Sequence, residues 1–145
     1  MPSSNDNFRD CAERHFNDSE FLLRNSRHDN AVYLAGFAVE CALKFAVVHY
    51  QSRGLRDPLS YRHRVGDIAS ELISALSLLP HSSASIVLQQ IKSPNVTGHP
   101  LHGHPSRRYW SSGVWSWQEA VDAVDLAREA YRKVVIPIQT LGRLF

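Results

Sequence analysis

The feature that most constrains the fold of this 145-residue chain is a segment, residues 31–48, that is apolar in almost every direction of a helix. Only Tyr33, Glu40 and Lys44 interrupt its series of apolar side chains. A helix that is apolar all round has to be surrounded by other elements, so the segment predicts a buried central helix. We expect this second helix to span about residues 30–53 and to end at Gly54, a residue type that commonly caps helices.

The segments on either side of this helix are amphipathic. Apolar residues recur at helical spacing in residues 8–26, 65–79 and 82–92, and again from Trp117 onward. These stripes predict helices one, three, four and five, with the second helix packed between helices one, three and five. The pattern contains no strand alternation. The sequence therefore predicts a single all-α domain over residues 1–145, folded as an antiparallel up-and-down bundle of four to five helices.

Local signals define several boundaries and one close approach within this bundle. Ser116 followed by Glu119 is a capping-box pattern that opens the last helix, and Pro137 should kink or end that helix. Residues 1–7 are polar and are expected to fray. Residues 93–115 contain three prolines and three glycines without helical periodicity, which predicts one long loop. Gly36, inside the central helix, is expected to allow a neighbouring helix to approach closely.

Composition and charge exclude several classes of protein. The net charge of +2 is too small to indicate a nucleic-acid-binding protein by itself. Cys11 and Cys41 lie within helical patterns, which indicates buried free thiols. No signal-peptide pattern opens the sequence, and Glu40 and Lys44 interrupt the longest apolar run, so we expect no membrane span and a cytoplasmic location.

The central helix also carries a resemblance to a known superfamily. Residues 31–44, AVYLAGFAVECALK, together with residues 12–16 and Leu22, resemble the start of a HEPN-type domain (higher eukaryote and prokaryote nucleotide-binding). Arg108–Tyr109 is similar to the "RY" that precedes the last helix in many such proteins. The resemblance implies a four- or five-helix bundle, frequently dimeric. It also implies RNA cleavage, nucleotide binding, or a toxin–antitoxin-like pair with a minimal nucleotidyltransferase.

Catalytic members of that superfamily carry an arginine, four to six further residues, and a histidine, usually late in the bundle. The late helices of this chain contain no such pair. Arg9 and His15 have the spacing, but they lie on the first helix and about 240° apart around its axis. Whether the chain is an enzyme therefore stays open, and a metal-independent endoribonuclease is the weaker alternative.

The long loop concentrates side chains that suit phosphate chemistry. An imidazole as acid or base beside a guanidinium suits phosphate-ester cleavage, and cations beside aromatic rings suit binding of a nucleotide or single-stranded RNA. A solvated loop is the alternative. The loop residues concerned are His99, His102, His104, Arg107, Arg108, Tyr109 and Trp110.

Within this set, His102, His104 and Arg108 are the candidates for catalysis. The predicted ligand-binding set joins the loop to one stripe of the central helix: Tyr33, Glu40, Lys44, His102, Arg107, Arg108 and Tyr109. Glu40 and Lys44 are spaced i,i+4, which favours an ion pair along the helix. His102, His104, Arg107 and Arg108 are expected to form a cationic patch near that stripe.

No metal site and no cofactor are predicted. His99, His102 and His104 are loosely spaced for a metal, with no carboxylate nearby in sequence. At the start of the third helix, residues 62–64 indicate a solvated basic end that could extend a basic rim.

Two functions from different classes remain after these exclusions. The first is a HEPN-like protein that binds RNA or nucleotide, as a toxin–antitoxin or defence-type accessory component. The second is a protein–protein interaction module, a homodimer or partner-binding bundle without a nucleic-acid role. The leftover apolar helix faces favour a homodimer in either case.

Overall fold

The computed structural model describes residues 7–94, 96 and 98–144, and these residues form helices and loops without β-strands. The all-α bundle predicted from the sequence is therefore confirmed. The principal helices are α1 (Phe8–Arg24), α2 (His28–His49), α3 (Val65–Leu76), α4 (Ser83–Ile91), α5 (Trp117–Ala130) and α6 (Ile136–Leu141). Short 3-10 turns occur at Gln51–Arg53, Pro58–Tyr61 and Ser106–Tyr109, and a π-helical turn, Tyr131–Val135, joins α5 to α6.

Helix α2 is the centre of the bundle and packs against α1, α3 and α5, as the sequence predicted. Leu43 and Val47 are completely buried on it. The helix ends at His49, earlier than expected, and the chain continues through the 3-10 turn to Gly54, whose φ of +81° stops it. By length and composition α2 is apolar enough to cross a membrane, but 72% of its most apolar window is buried inside this fold. Its apolar surface is that of a core helix.

The C-terminal helices follow the local signals with one difference. The capping box is present, since Glu119 N–H donates to the Ser116 hydroxyl at 3.1 Å and Ser116 N–H donates to the Glu119 carboxylate at 3.1 Å. Just before Pro137 the regular α pattern gives way to the π-helical turn, and the chain then resumes as α6. A proline lacks an N–H and crowds the preceding turn, which explains an irregular turn at this place. The helix ends only at Leu141, where Gly142 has a φ of +73°.

Gly36 brings a loop close to α2, and the expectation of a close helix–helix contact there is wrong. A Cβ atom at Gly36 would lie 2.5 Å from Nδ1 of His104 and closer still to Nη2 of Arg107. Both side chains come from the loop that spans residues 93–115, in which Leu101 and Trp115 are also buried. The missing side chain of Gly36 therefore lets this loop dock on the backbone of the central helix.

Candidate functional site

The site lies on one face of α2. Tyr33, Phe37, Glu40 and Lys44 follow one another at spacings of four, three and four residues, which places them within about 60° around the helix axis. Phe37 occupies the middle of this face, and its ring meets those of His104 and His63 edge-on, at 4.7 and 5.7 Å between centroids. The stripe expected from the sequence is thus in contact with histidines from two other parts of the chain.

Glu40 is the hub of this arrangement. Its carboxylate is buried and accepts hydrogen bonds from three side chains: Lys44 Nζ at 3.0 Å on Oε2, and His63 Nδ1 and His104 Nε2, each at 2.9 Å, on Oε1. Burial alone would raise the pKa of Glu40, but the hydrogen bond from His104, the charge of Lys44 and the hydrogen bond from His63 together lower it. An ionised carboxylate can only accept, so each imidazole donates the N–H that faces it. We call Glu40, Lys44, His63 and His104 the Glu40 cluster.

His63 enters the cluster from a tight turn just before α3. Arg64 N–H donates to the carbonyl of Tyr61 at 3.0 Å. Arg62, in the middle of the turn, has a φ of +54°, a conformation that residues other than glycine rarely adopt. The side chain of His63 is 46% exposed. While Nδ1 donates to Glu40, Nε2 is the nitrogen of His63 that remains for another hydrogen bond.

His104 reaches the same carboxylate oxygen from the long loop, and its side chain is completely buried. Burial lowers the pKa of His104, and the neighbouring Glu40 only partly opposes that shift. Nδ1 is buried without a hydrogen-bond partner among the described residues. His104 is therefore a neutral, interior imidazole and adds no charge to a surface patch, contrary to the sequence-based expectation.

Arg107 is also placed in the interior. Its guanidinium donates to the carbonyl of Pro100 at 2.6 Å and to the carbonyl of Val32 at 2.8 Å, and it lies over the ring of Trp115. Burial lowers its pKa to about 10. The side chain fastens the loop to α2 and takes no place in the cationic patch that the sequence indicated, because its guanidinium is buried and two of its nitrogens donate to backbone carbonyls.

Arg108, the next residue, is exposed at the opposite end of the α2 stripe. It donates to the hydroxyl of Tyr109 at 2.8 Å and lies over that ring. Hydrogen bonds to Tyr109, and to a smaller extent to Tyr33, raise the pKa of Arg108. Tyr33, Arg108 and Tyr109 thus form a second group, which we call the Arg108 group.

The other loop histidines join neither group. His102 lies beside Trp110, at 6.0 Å between ring centroids, and its Nδ1 is buried without a partner among the described residues. His99 bonds the carbonyl of Gln90 and accepts from Leu101 N–H, so it holds the loop in place. The three loop histidines do not converge, and no ligand set formed by them alone occurs in the described residues.

A cavity of about 500 Å³ opens beside the Glu40 cluster. His63 and His104 line it together with the first turn of α3 and residues 92–94. The full lining comprises His63, Arg64, Val65, Gly66, Asp67, Lys92, Ser93, Pro94, Val96, Leu101, His104 and Pro105. Two histidines oriented by one buried carboxylate therefore border a space that a ligand can enter.

The N-terminus of α3 is the second notable part of the cavity lining. Arg64 stands at its N-cap position and provides no side-chain cap. Val65 N–H donates to the carbonyl of His63 at 2.9 Å, and the next N–H groups of this 12-residue helix lack the usual hydroxyl or carboxylate acceptor. Gly66 packs tightly there, since a Cβ atom would lie 2.8 Å from the carbonyl oxygen of Lys92 and 2.8 Å from Cδ of Pro94. The helix terminus and residues 92–94 are thereby held together at the cavity edge.

Three charged side chains surround this helix terminus. Arg64 pairs with Asp67 at 3.0 Å, so the one carboxylate in the cavity lining is compensated. Lys92 forms no ion pair within the part of the chain that the structure describes. Lys92 is thus a cavity residue that the sequence did not indicate. Of the basic rim predicted at residues 62–64, His63 and Arg64 line the cavity.

One further spacing bears on catalysis. Arg56 precedes His63 with six residues between them, which also fits the arginine–histidine spacing of catalytic HEPN-type domains. Its guanidinium, however, pairs with Glu71 at 3.1 Å and stacks on the ring of Tyr61. Arg56 does not line the cavity beside His63, so this pair does not form a joint phosphate site.

Comparisons with protein-family models, with curated proteins and with solved structures find no match for this chain. Its functional interpretation therefore rests on the geometry of the Glu40 cluster and of the cavity.

Proposed function

We propose that this chain is a HEPN-like helical-bundle protein that binds RNA or a nucleotide, with a phosphate group of the ligand held in the cavity at the N-terminus of α3. The observation that carries the proposal is the uncapped start of α3, facing a cavity that Lys92 also lines. Backbone N–H groups and the helix dipole make a helix N-terminus a favourable place for a phosphate. The resemblance of residues 31–44 to HEPN-type domains supports the same ligand class.

The charges around the cavity suit an anion. Lys92 supplies a cation that has no ion-pair partner among the described residues, while the Asp67 carboxylate is compensated by Arg64. His63 adds a nitrogen whose orientation Glu40 fixes. Side chains that are positioned in advance lose little freedom when a phosphate binds.

The size and the lining of the cavity narrow the ligand further. A volume of about 500 Å³ falls within the usual range for small-molecule sites. Apart from the two imidazoles, the described lining contains no aromatic ring on which a base could stack. We therefore expect recognition to depend on the phosphate more than on the identity of the base.

A binding experiment with a matched control tests this proposal. Mononucleotides and short single-stranded RNAs are titrated into the protein in a buffer that contains a chelator, with the Lys92→Ala and Lys133→Ala variants alongside. Loss of one charged hydrogen bond weakens binding by about 1.5–3 kcal/mol, so Lys92→Ala should bind at least about tenfold more weakly. Lys133 lies on the π-helical turn outside the cavity, and its replacement should leave the affinity unchanged.

Salt and product analysis complete the experiment. The affinity should fall as ionic strength rises, because phosphate binding depends on charge. Equal affinity of Lys92→Ala and the wild type, or no binding by either, would contradict the proposal. Shortened RNA products would instead show the weaker alternative, a metal-independent endoribonuclease.

The wider role is part of the same proposal. We place the protein in the cytoplasm as an accessory component of a toxin–antitoxin or defence-type system, as a homodimer or with a nucleotidyltransferase-like antitoxin partner. The resemblance of residues 31–44 to HEPN-type domains is what supports this role.

A protein–protein interaction module is the second candidate function. Large apolar side chains stand exposed on several helices and on the α3–α4 connection, among them Phe21, Leu79, Trp117 and Leu141. Exposed apolar side chains of this kind favour a covering partner when they lie together. Light scattering decides the homodimer, since a monomer mass of 16.4 kDa at tens of micromolar protein would contradict it.

A further inference from the structure

We infer that Glu40, His63 and His104 hold a divalent transition-metal ion of the zinc class, at the wall of the cavity. This inference goes beyond the proposed phosphate site, and it can be tested without any nucleotide. It also differs from the sequence-based expectation of no metal, which considered only the loop histidines and found no carboxylate near them.

The three side chains form a ligand set from distant parts of the chain. Nδ1 of His63 and Nε2 of His104 each lie 2.9 Å from Oε1 of Glu40. One ligand atom from each of the three residues lies within 4.8 Å of the other two. They are the one such group of three among the residues that the structure describes. One comes from α2, one from the turn before α3 and one from the long loop, so a bound ion would join three elements.

The chemistry of the set favours zinc over calcium or magnesium. Two imidazoles and one carboxylate are the donors of the His₂Glu type of zinc site, which leaves a fourth position for water or substrate. Calcium and magnesium prefer sites built from oxygen atoms alone. Here the fourth position would face the cavity, because both His63 and His104 line it.

Metal binding requires a tautomer change in each imidazole and one small movement. His63 and His104 now use their N–H groups as donors to Glu40, at 2.9 Å each. To ligate a metal, His63 carries its proton on Nε2 and His104 on Nδ1, so no proton is lost from either ring. Tetrahedral zinc sets its ligand atoms about 3.3 Å apart. His63, half-exposed on its turn, has the freedom to move its nitrogen toward that of His104.

The residues around the three ligands determine the metal affinity that we expect. Lys44 holds the second carboxylate oxygen of Glu40 at 3.0 Å, which leaves Oε1 for the ion. Nδ1 of His104 has no acceptor among the described residues. A metal-ligating histidine without such a partner binds its metal about 10–100-fold more weakly than one that has it. We therefore expect a moderate affinity, well below that of a structural zinc site.

A titration with metal alone tests the inference. The purified chain is stripped with a chelator, exchanged into chelator-free and phosphate-free buffer, and titrated with Co²⁺ by visible absorption and with Zn²⁺ by calorimetry. The wild type should bind one equivalent, with the intense visible absorption of a four-coordinate cobalt site. His63→Ala should lower the affinity at least tenfold, whereas the matched loop variant His102→Ala should leave it unchanged.

Folding and stability readouts keep the test decisive. His63 is half-exposed, so circular dichroism should show that His63→Ala keeps the helical content of the wild type. Zn²⁺ should raise the melting temperature of the wild type and of His102→Ala but not of His63→Ala, because a ligand stabilises the state that binds it. Absence of binding by the wild type, or equal binding by His63→Ala, would overturn the inference. A loss of metal affinity in His102→Ala as large as that in His63→Ala would also overturn the inference.

The two proposals fail separately. The metal titration contains no phosphate or nucleotide, and the nucleotide titration contains a chelator. Metal binding without nucleotide binding would support the zinc site and refute the phosphate site. Nucleotide binding without metal binding would support the phosphate site and refute the zinc site.

Discussion

The two ends of the α2 stripe satisfy their charged side chains in opposite ways. At one end, the buried Glu40 cluster is satisfied by partners 23 and 64 positions away in the chain, His63 and His104. At the other, the exposed Arg108 group is satisfied mainly by an adjacent residue, Tyr109. A buried charge has to be paired and hydrogen-bonded, whereas a solvated charge needs no partner. The cluster therefore fixes the positions of three chain segments, whereas the contact of Arg108 with Tyr109 lies between neighbours in sequence.

Replacement of the hub residue should have the largest effect. Glu40→Ala leaves Lys44 buried without its counter-ion and removes the acceptor of two imidazoles. Removal of one partner from a buried pair lowers the free energy of unfolding by about 3–5 kcal/mol. Chemical denaturation measures this loss. A loss no larger than that of an exposed control such as Arg108→Ala would remove the distinction between the two ends.

Arg107 and Arg108 provide the next comparison, since they are adjacent in sequence and opposite in burial. Arg107→Ala removes the donors to the carbonyls of Val32 and Pro100 and should lower the free energy of unfolding by about 2–3 kcal/mol. Arg108→Ala should leave it nearly unchanged, because the side chain is exposed. Hydrogen exchange of residues 98–110 should increase only in Arg107→Ala. Similar exchange in both variants would show that Arg107 does not fasten the loop.

Gly36 tests how closely the loop must dock. In Gly36→Ala the new Cβ atom would overlap His104 and Arg107, so the loop has to move away from α2. Overpacking of this kind lowers the free energy of unfolding by about 1–3 kcal/mol. Gly113→Ala is a control with open space around it but a positive φ of +83°, so its cost is backbone strain alone. If Gly36→Ala matched the wild type in stability, the close contact would not matter energetically.

The smallest effect concerns pH. Burial lowers the pKa of His15, which lies on α1 beside the ring of Phe37, at 6.1 Å between ring centroids. A histidine with a lowered pKa binds protons more readily in the unfolded chain, so the protein should lose stability as the pH falls below about 6.5. His104 acts in the same direction. His15→Gln should therefore show a shallower loss between about pH 6.5 and pH 5, measured by denaturation in the presence of chelator. Identical slopes would mean that His15 is no more difficult to protonate in the folded protein.

The stability below about pH 4.5 tests the ionisation of Glu40. The pKa of Glu40 is lowered in the folded protein, so the stability that its carboxylate contributes is fully present above the ordinary carboxylate pKa and is lost as the pH falls through and below that value. A further loss of stability is therefore expected only below about pH 4.5. That second step should be smaller in Glu40→Gln, because the amide does not titrate. If the loss of stability in this range were as large in Glu40→Gln as in the wild type, other carboxylates would be its cause.

Helical periodicity explains which parts of the fold were predictable. The apolar run in residues 31–48 identified the buried central helix, and Ser116 with Glu119 identified the start of α5, because both signals depend on residues within a few turns. The pairing of Glu40 with Lys44 was likewise readable from its i,i+4 spacing. The placement of Gly36 was not, since the sequence does not show whether a helix or a loop will cover a small residue.

The sequence by itself determined the helices, their order and the polar stripe on α2, since these depend on contacts between near neighbours. Only the tertiary structure decided that His63 and His104 share one oxygen of Glu40, that Arg107 is interior while Arg108 is exposed, and that α3 begins at a cavity. These arrangements join segments separated by up to 75 positions. The path of the intervening loops sets them, and it follows from how the whole bundle buries its apolar surface rather than from any local pattern.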